Sequence, residues 1–334
     1  MSVLYKGQVI ESEVSANSFG GTEMMRERVL KHVDKQWLEQ VAIHFSRPRQ
    51  MYNDVPNVLY CHDLAEDPEM NLLANGGWQK FAHLVFVSAW QRDQYIQRFD
   101  IPYSKTTVIY NAVETQYEPI TKDVDTIRFI YHTTPHRGLE LLVPIFDGLC
   151  KHFPNIHLDV FSSFGIYGWE QRDEPYKKLF EQIENHEKMT YHGWQPNDVV
   201  QEALKKSHIF LYPNIWKETS CIALIEAIKS QVICIHPNYG ALTETAANAT
   251  IVYEYNEDKL QHANYAFSIA AQVLKVQQDN PNYFNRFTYS DRYNLARNDV
   301  ASFGNVWNQV LSLMVQSEQA KAESENVVYQ SNPT

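Results

Sequence analysis

Cysteine is scarce and scattered: Cys61, Cys150, Cys221 and Cys234 form no CxxC pair and no zinc-ligand spacing. Neither a disulfide framework nor a zinc module is indicated, and reduced, mostly buried thiols are expected. Glycine is also thin, 12 in all, and nowhere arranged as GxGxxG, which counts against a dinucleotide-dependent dehydrogenase. No run approaches 18 uninterrupted apolar residues, and the N-terminus "MSVLYKGQVIESE" has no apolar signal core. The expected location is the cytoplasm, with peripheral membrane contact left open. Positive charge is in deficit: a net charge of −11 argues against a general nucleic-acid surface. A local basic patch stays open, because residues 1–50 hold seven Lys and Arg against six Asp and Glu. What remains is a soluble globular composition, 44% hydrophobic and 21% charged, and 334 residues suffice for two domains with separate cores. The 20 tyrosines suit polar binding surfaces as well as cores.

Short β-rich runs alternate with helical patterns along most of the chain. "QVAIHF", "NVLYCHD", "HLVFVS" and "TTVIYNAV" precede a polar stretch at Glu114–Asp125. "IRFIYHT", "HLDVFSS", "MTYHGW", "HIFLYPN", "VICIH" and "ATIVYE" follow it. Such alternation predicts βαβ units and parallel sheets, an α/β chain with a hinge near residue 118. The expected division is a small first domain, 1–118, and a second over 119–285. A C-terminal helix over 286–317 would return toward the first domain, with a frayed tail at 318–334.

Parallel sheets bind ligands beyond the carboxyl ends of their strands, so the strand exits carry the functional signal. "HIFLYPNIWKETSCIALIEAIKS" places Glu218 near a helix start, where the helix dipole and capping both favour a carboxylate. The amides of Thr219, Ser220 and Cys221 would face any anion placed before that helix. Glu226 falls inside an apolar helix, where pairing with Lys229 at i,i+3 is as good a reading as ligand binding. "YHTTPHRGLELL" places Arg137 at a helix mouth, a position disfavoured for a cation unless an anion joins it. In "SANSFGGTE", Gly20 and Gly21 permit close backbone approach before a helix. His62 stands at the exit of an apolar strand, and "GALTET" opens another exit at Gly240. "DVD" at Asp123–Asp125 lies in the hinge rather than after a strand, so it is read as chance and no metal is expected.

The collinear order "FGGTE…H…VSAWQRDQY…VIYNAV…HRGLELL…HGW…ETSCIALIEAI…GALTET" resembles the retaining glycosyltransferases of family 4, with the GT-B architecture. The E-x7-E pair Glu218/Glu226 is its most specific element. The resemblance implies two Rossmann-like domains facing across a cleft and a nucleotide-diphosphate sugar as donor, UDP-sugar favoured, without cofactor or metal. It implies that Arg137 meets the diphosphate, Glu218 the donor-sugar hydroxyls with the Thr219–Cys221 amides nearby, and Glu226 the ribose. Gly20 and Gly21 would close over the phosphates, and His62 would lie beside the transferred sugar. The chain departs from the pattern at His132, where the family carries an Arg, and at Arg137, where it carries a Lys. A titratable His132 would then share the donor site. Implied partners are the nucleotide sugar and either a glycan or lipid-linked acceptor or a hydroxymethylated DNA base. A sugar-nucleotide 2-epimerase on the same fold, and a sugar-nucleotide-binding protein without activity, are the alternatives. Donor sugar, acceptor and oligomeric state are not set by the sequence.

Overall fold

A computed structural model of the chain describes residues 2–11, 20–114, 120–286 and 295–330. It divides into two α/β units, Met1–Ala112 with Arg297–Thr334, and Val113–Ala296. Of the hinge stretch, residues 115–119 lie outside the described residues.

The first unit carries strands β1 (Ser2–Tyr5), β2 (Gln8–Glu11), β3 (Ala42–Phe45), β4 (Asn57–Cys61), β5 (His83–Phe86) and β6 (Thr106–Val108), in the order β2-β1-β3-β4-β5-β6. Strands β3 to β6 are parallel, as the alternation predicts. The β1–β2 hairpin is antiparallel and has no counterpart in the sequence reading. Four-residue strands are too short to show a period against their neighbours. The last helix, Val300–Gln330, packs on helices Gly21–His32 and Lys35–Leu38 of the same unit, with Trp307 fully buried and edge-on to Tyr60 at 5.0 Å. It begins at Val300, and its backbone stays helical through residue 330. All of "RFTYSDRY" (residues 286–293) but its first residue lies outside the described residues.

The second unit carries β7 (Ile127–Tyr131), β8 (Ile156–Val160), β9 (Met189–Tyr191), β10 (Ile209–Leu211), β11 (Ile233–Pro237) and β12 (Ile251–Tyr253), all parallel. Their order is β12-β11-β10-β7-β8-β9. Counted from β7, this is the 3-2-1-4-5-6 order of the doubly wound dinucleotide fold. Every residue of β10 and β11 is buried, which is why those strands read as unbroken apolar runs. Helix Leu139–Cys150 covers the sheet with Leu139, Leu142, Val143, Phe146 and Leu149, one stripe at helical spacing. The strand order reverses between β7 and β10, so their exits flank the place where such sheets take ligands.

Candidate functional site

Two glycines bring three strand exits of the second unit together. Gly138, after β7, has φ +122°, and a Cβ there would stand 2.2 Å from the Pro213 carbonyl oxygen after β10. Gly240, after β11, has φ +61°, and a Cβ would lie 2.6 Å from the carbonyl oxygen of Glu218 and 2.7 Å from its nitrogen. Any larger residue at either position would push the exits apart. Ala241 N donates to Glu218 O at 2.8 Å and fixes the approach.

Glu218 is thereby held 3% exposed. Its Oε1 accepts from the Tyr212 hydroxyl at 2.7 Å and from Arg137 Nη1. Arg137 Nε donates to Thr134 Oγ1 at 3.0 Å, and the guanidinium keeps 20% side-chain exposure. Burial alone would pull the Arg137 guanidinium down, but the Glu218 carboxylate against it outweighs that and holds it well above its usual value. The cation is therefore permanent, with Nη2 not engaged in either bond. Helix Ile222–Lys229 starts beside this pair with Cys221 at its N-cap, and no side chain caps its amides. The site thus offers a fixed positive charge and helix-end N–H groups for an anion, with a carboxylate for hydroxyls.

Three further polar atoms in the same β7 exit are buried without a partner: His132 Nδ1, Thr133 Oγ1 and His136 Nδ1. His132 Nε2 bonds Ala223 O at 3.0 Å and its ring lies 4.7 Å from Phe210. Burial pushes the imidazole down to about 4, and it does so for His136 as well, helped by Arg137. His132 is therefore neutral near pH 7. Sequence position alone could not show that its ring lies beneath the helix start.

Glu226 is 5% exposed and Lys229 6%, so the solvated i,i+3 pair on a surface helix is ruled out. Asn197 Nδ2 donates to Glu226 Oε1 at 2.9 Å from the first residue of helix Asn197–Lys206. Thr219, Ser220 and Cys221 sit between the two acids, and burial raises the Cys221 thiol well above its normal value, so it is no thiolate.

Gly20, Gly21 and His62 belong to the first unit. Gly20 caps helix Gly21–His32 at φ −71°, a conformation open to any residue, while the loop before it lies outside the described residues. His62 follows β4, 4.2 Å from the Tyr60 ring, and its N donates to Ser46 Oγ at 3.1 Å. Burial pushes its imidazole down to about 3, so it is neutral. Asp123 accepts from Asp125 N at 3.0 Å in an exposed turn, and no group of three metal-ligating side chains gathers among the described residues.

Tyr212, Thr134 and Asn197 are not legible as site residues in the sequence. Each partners an acid or the arginine only after folding, and only the strand-end position of Tyr212 hints at it.

Residues 114–267 match the glycosyl transferases group 1 family. One subunit of the phosphatidylinositol N-acetylglucosaminyltransferase of Arabidopsis thaliana is 24% identical over 173 residues, 50% of this chain and 37% of that protein. Its human counterpart is 24% identical over 174 residues, 51% of this chain and 34% of that protein. The chain thus spans little more than a third of the length of these relatives. Among solved structures, a glycosyltransferase from Rickettsia africae aligns with TM-score 0.63 at 15% identity, over 92% of this chain and 84% of its own. HepE of Anabaena in complex with UDP and glucose aligns with TM-score 0.62 at 14% identity, over 90% and 85%. The fold is that of the GT-B glycosyltransferases. No helix among the described residues is long and apolar enough to cross a membrane.

Proposed function

We propose, because residues 114–267 match the glycosyl transferases group 1 family, that the chain is a retaining glycosyltransferase that works without metal. It moves a sugar from a nucleotide-diphosphate sugar, UDP-sugar favoured, to the hydroxyl of a glycan, a lipid-linked sugar or a hydroxymethylated DNA base. The observation that carries this reading is the Arg137–Glu218 pair at the reversal point of the second sheet. Arg137 Nη2 and the amides leading into helix Ile222–Lys229 meet the diphosphate, and Glu218 takes hydroxyls of the donor sugar. Glu226, with one oxygen steadied by Asn197, takes the ribose diol. As the glycosidic bond breaks, charge grows on the leaving phosphate, where a fixed cation in a poorly solvated site acts most strongly. The acceptor hydroxyl attacks from the side of departure, and the leaving phosphate takes its proton. The neutral His132 and His136 contribute hydrogen bonds rather than charge. HepE, solved with UDP and glucose, supports the choice of donor.

Two measurements test this. A thermal-shift panel of UDP-, GDP-, ADP- and TDP-sugars should single out one donor, since binding stabilises by RT ln(1 + [L]/Kd). Nucleotide release from that donor without acceptor should persist in excess EDTA. Loss in EDTA with recovery on manganese would overturn the metal-free mechanism, and binding without release would favour a protein that only holds the nucleotide sugar.

A further inference from the structure

Trp216 is 44% exposed, although Asn214 and Glu218, two residues to either side, are buried. A core tryptophan in this chain looks different: Trp307 is fully buried. The backbone that presents Trp216 is clamped on both sides by one fully buried side chain. Asn214 Oδ1 accepts from Trp216 N at 3.0 Å, and Asn214 Nδ2 donates to Trp216 O at 2.5 Å. The indole itself stands edge-on to His136, ring centroids 4.7 Å apart at 85°. His136 in turn stacks on Phe164 at 5.1 Å and 16°. These three rings come from the exits of β10, β7 and β8, which are neighbours in the sheet, so they form a row along its carboxyl edge. Two links tie the row to the charged pair, since His136 precedes Arg137 and Trp216 stands two residues before Glu218.

We propose that Trp216 is the stacking wall of an acceptor subsite that takes the apolar face of a pyranose ring. This rests on the glycosyltransferase reading above and narrows its acceptor to a sugar. A pyranose presents C–H groups on one face and hydroxyls at its rim, which suits a half-exposed indole whose backbone is pinned and whose ring meets His136. Large flat aromatics with one wet face are suited to such contacts and lose little conformational freedom when pinned. Glu218, assigned to the donor sugar, is 3% exposed and Trp216 is 44% exposed, so the open indole is assigned to the acceptor ring. It lies at the Glu218 end of the site rather than the Glu226 end assigned to the nucleoside.

The test uses the full chain with Trp216→Ala and Trp216→Phe, and the nucleotide sugar that gives the largest thermal shift. Donor hydrolysis is measured without acceptor. Transfer is measured to glucose, N-acetylglucosamine, maltose and a hydroxymethylcytosine oligonucleotide. Saturation-transfer NMR follows the C–H protons of the three saccharides. For Trp216→Ala the expected results are hydrolysis within about twofold of wild type and KM for the saccharide acceptor raised about tenfold, the range of one lost aromatic contact. C–H saturation should vanish in the same variant, and Trp216→Phe should retain most of both. Parallel loss of hydrolysis and transfer, an unchanged acceptor KM, or transfer only to the oligonucleotide would overturn the proposal. If wild type released nucleotide from no sugar nucleotide, the glycosyltransferase reading would fall by itself. The NMR would then decide on Trp216 alone: saturation that disappears in Trp216→Ala keeps the sugar wall, and absence of saturation in wild type removes it.

Discussion

At the exits of β3 and β4 in the first unit, Arg47 bonds Asp63 at 3.0 Å and Asp67 at 2.7 Å. Beside them, Gln91 accepts from Val87 N at 3.0 Å and donates to Asp63 O at 2.8 Å. At the exits of β7 and β10 in the second unit, one arginine and one carboxylate pair, while His132 Nδ1, Thr133 Oγ1 and His136 Nδ1 are buried with no partner. Both sets of loops follow parallel strands and use similar residue types. In the first set, side-chain bonds between the loops tie them to one another, which fixes loop geometry. In the second, the close approaches at Gly138 and Gly240 hold three strand exits around the Arg137–Glu218 pair. The proposed ligand chemistry rests on that pair, at the reversal of strand order.

The sharpest way to break this comparison is Arg137→Ala. Turnover should fall about two to three orders of magnitude, the scale for removing one partner of a developing charge. The same change strands Glu218 in a buried position, so unfolding free energy should drop by about 3–5 kcal/mol. Activity is therefore to be read on protein shown to be folded. Unchanged turnover in folded variant would mean that the pair is structural.

Lys122 provides the counter-case within the second unit, a buried polar group that is fully satisfied. Its Nζ donates to the carbonyls of Ser207, of Ser230 at 2.9 Å and of Gln231 at 3.0 Å. Lys122→Ala should cost about 3 kcal/mol of stability by stranding those carbonyls. Donor affinity in the remaining folded protein should not change. A variant that folds normally but loses donor binding would put Lys122 in the site.

The buried histidines give a pH window. Burial holds His132, His136, His208 and His236 at about 4 in the second unit, and in the first His83 at about 4 and His62 at about 3. Their unfolded value is near 6.5, so the unfolded chain binds more protons between about pH 4 and 6.5. The histidines' contribution to stability should be complete above about pH 6.5 and be lost as pH falls toward 4. Thermal unfolding across that range is the check, and a flat midpoint would contradict neutral buried imidazoles.

The smallest effect belongs to the self-satisfied loops. Arg47→Gln should cost about 1 kcal/mol or less, because Arg47 and its acids are partly solvated. Nucleotide-sugar affinity should stay within about twofold. A larger loss would show that the first unit's exits also serve the donor.

How much of this is readable beforehand follows from what is local in sequence. Glu218 and Arg137 stand out because an apolar strand followed by a helix start is a short-range pattern, and an acid or cation there is conspicuous. Glu226 is ambiguous in sequence, since i,i+3 spacing to Lys229 fits a solvated pair, and only the 5% exposure decides against it. His132 reads as titratable because its contact with Ala223 O joins residues 91 apart, which no local pattern shows. Tyr212 and Asn197 depend on similar folding contacts. The reversal of strand order that marks the site also lies beyond any local pattern, because it is set by which strands pair.

The most direct test of the ligand assignment is a titration of UDP and the preferred UDP-sugar against wild type, Glu226→Gln and Glu218→Gln. If Glu226 holds the ribose, Glu226→Gln removes charge-assisted hydrogen bonds of about 1.5–3 kcal/mol. Affinity should then fall about tenfold or more for both ligands alike. If Glu218 holds the donor sugar, Glu218→Gln should weaken the UDP-sugar and leave UDP nearly unaffected. Glu226→Gln that alters neither Kd, or Glu218→Gln that weakens both equally, would contradict the placement of the nucleotide sugar along this helix.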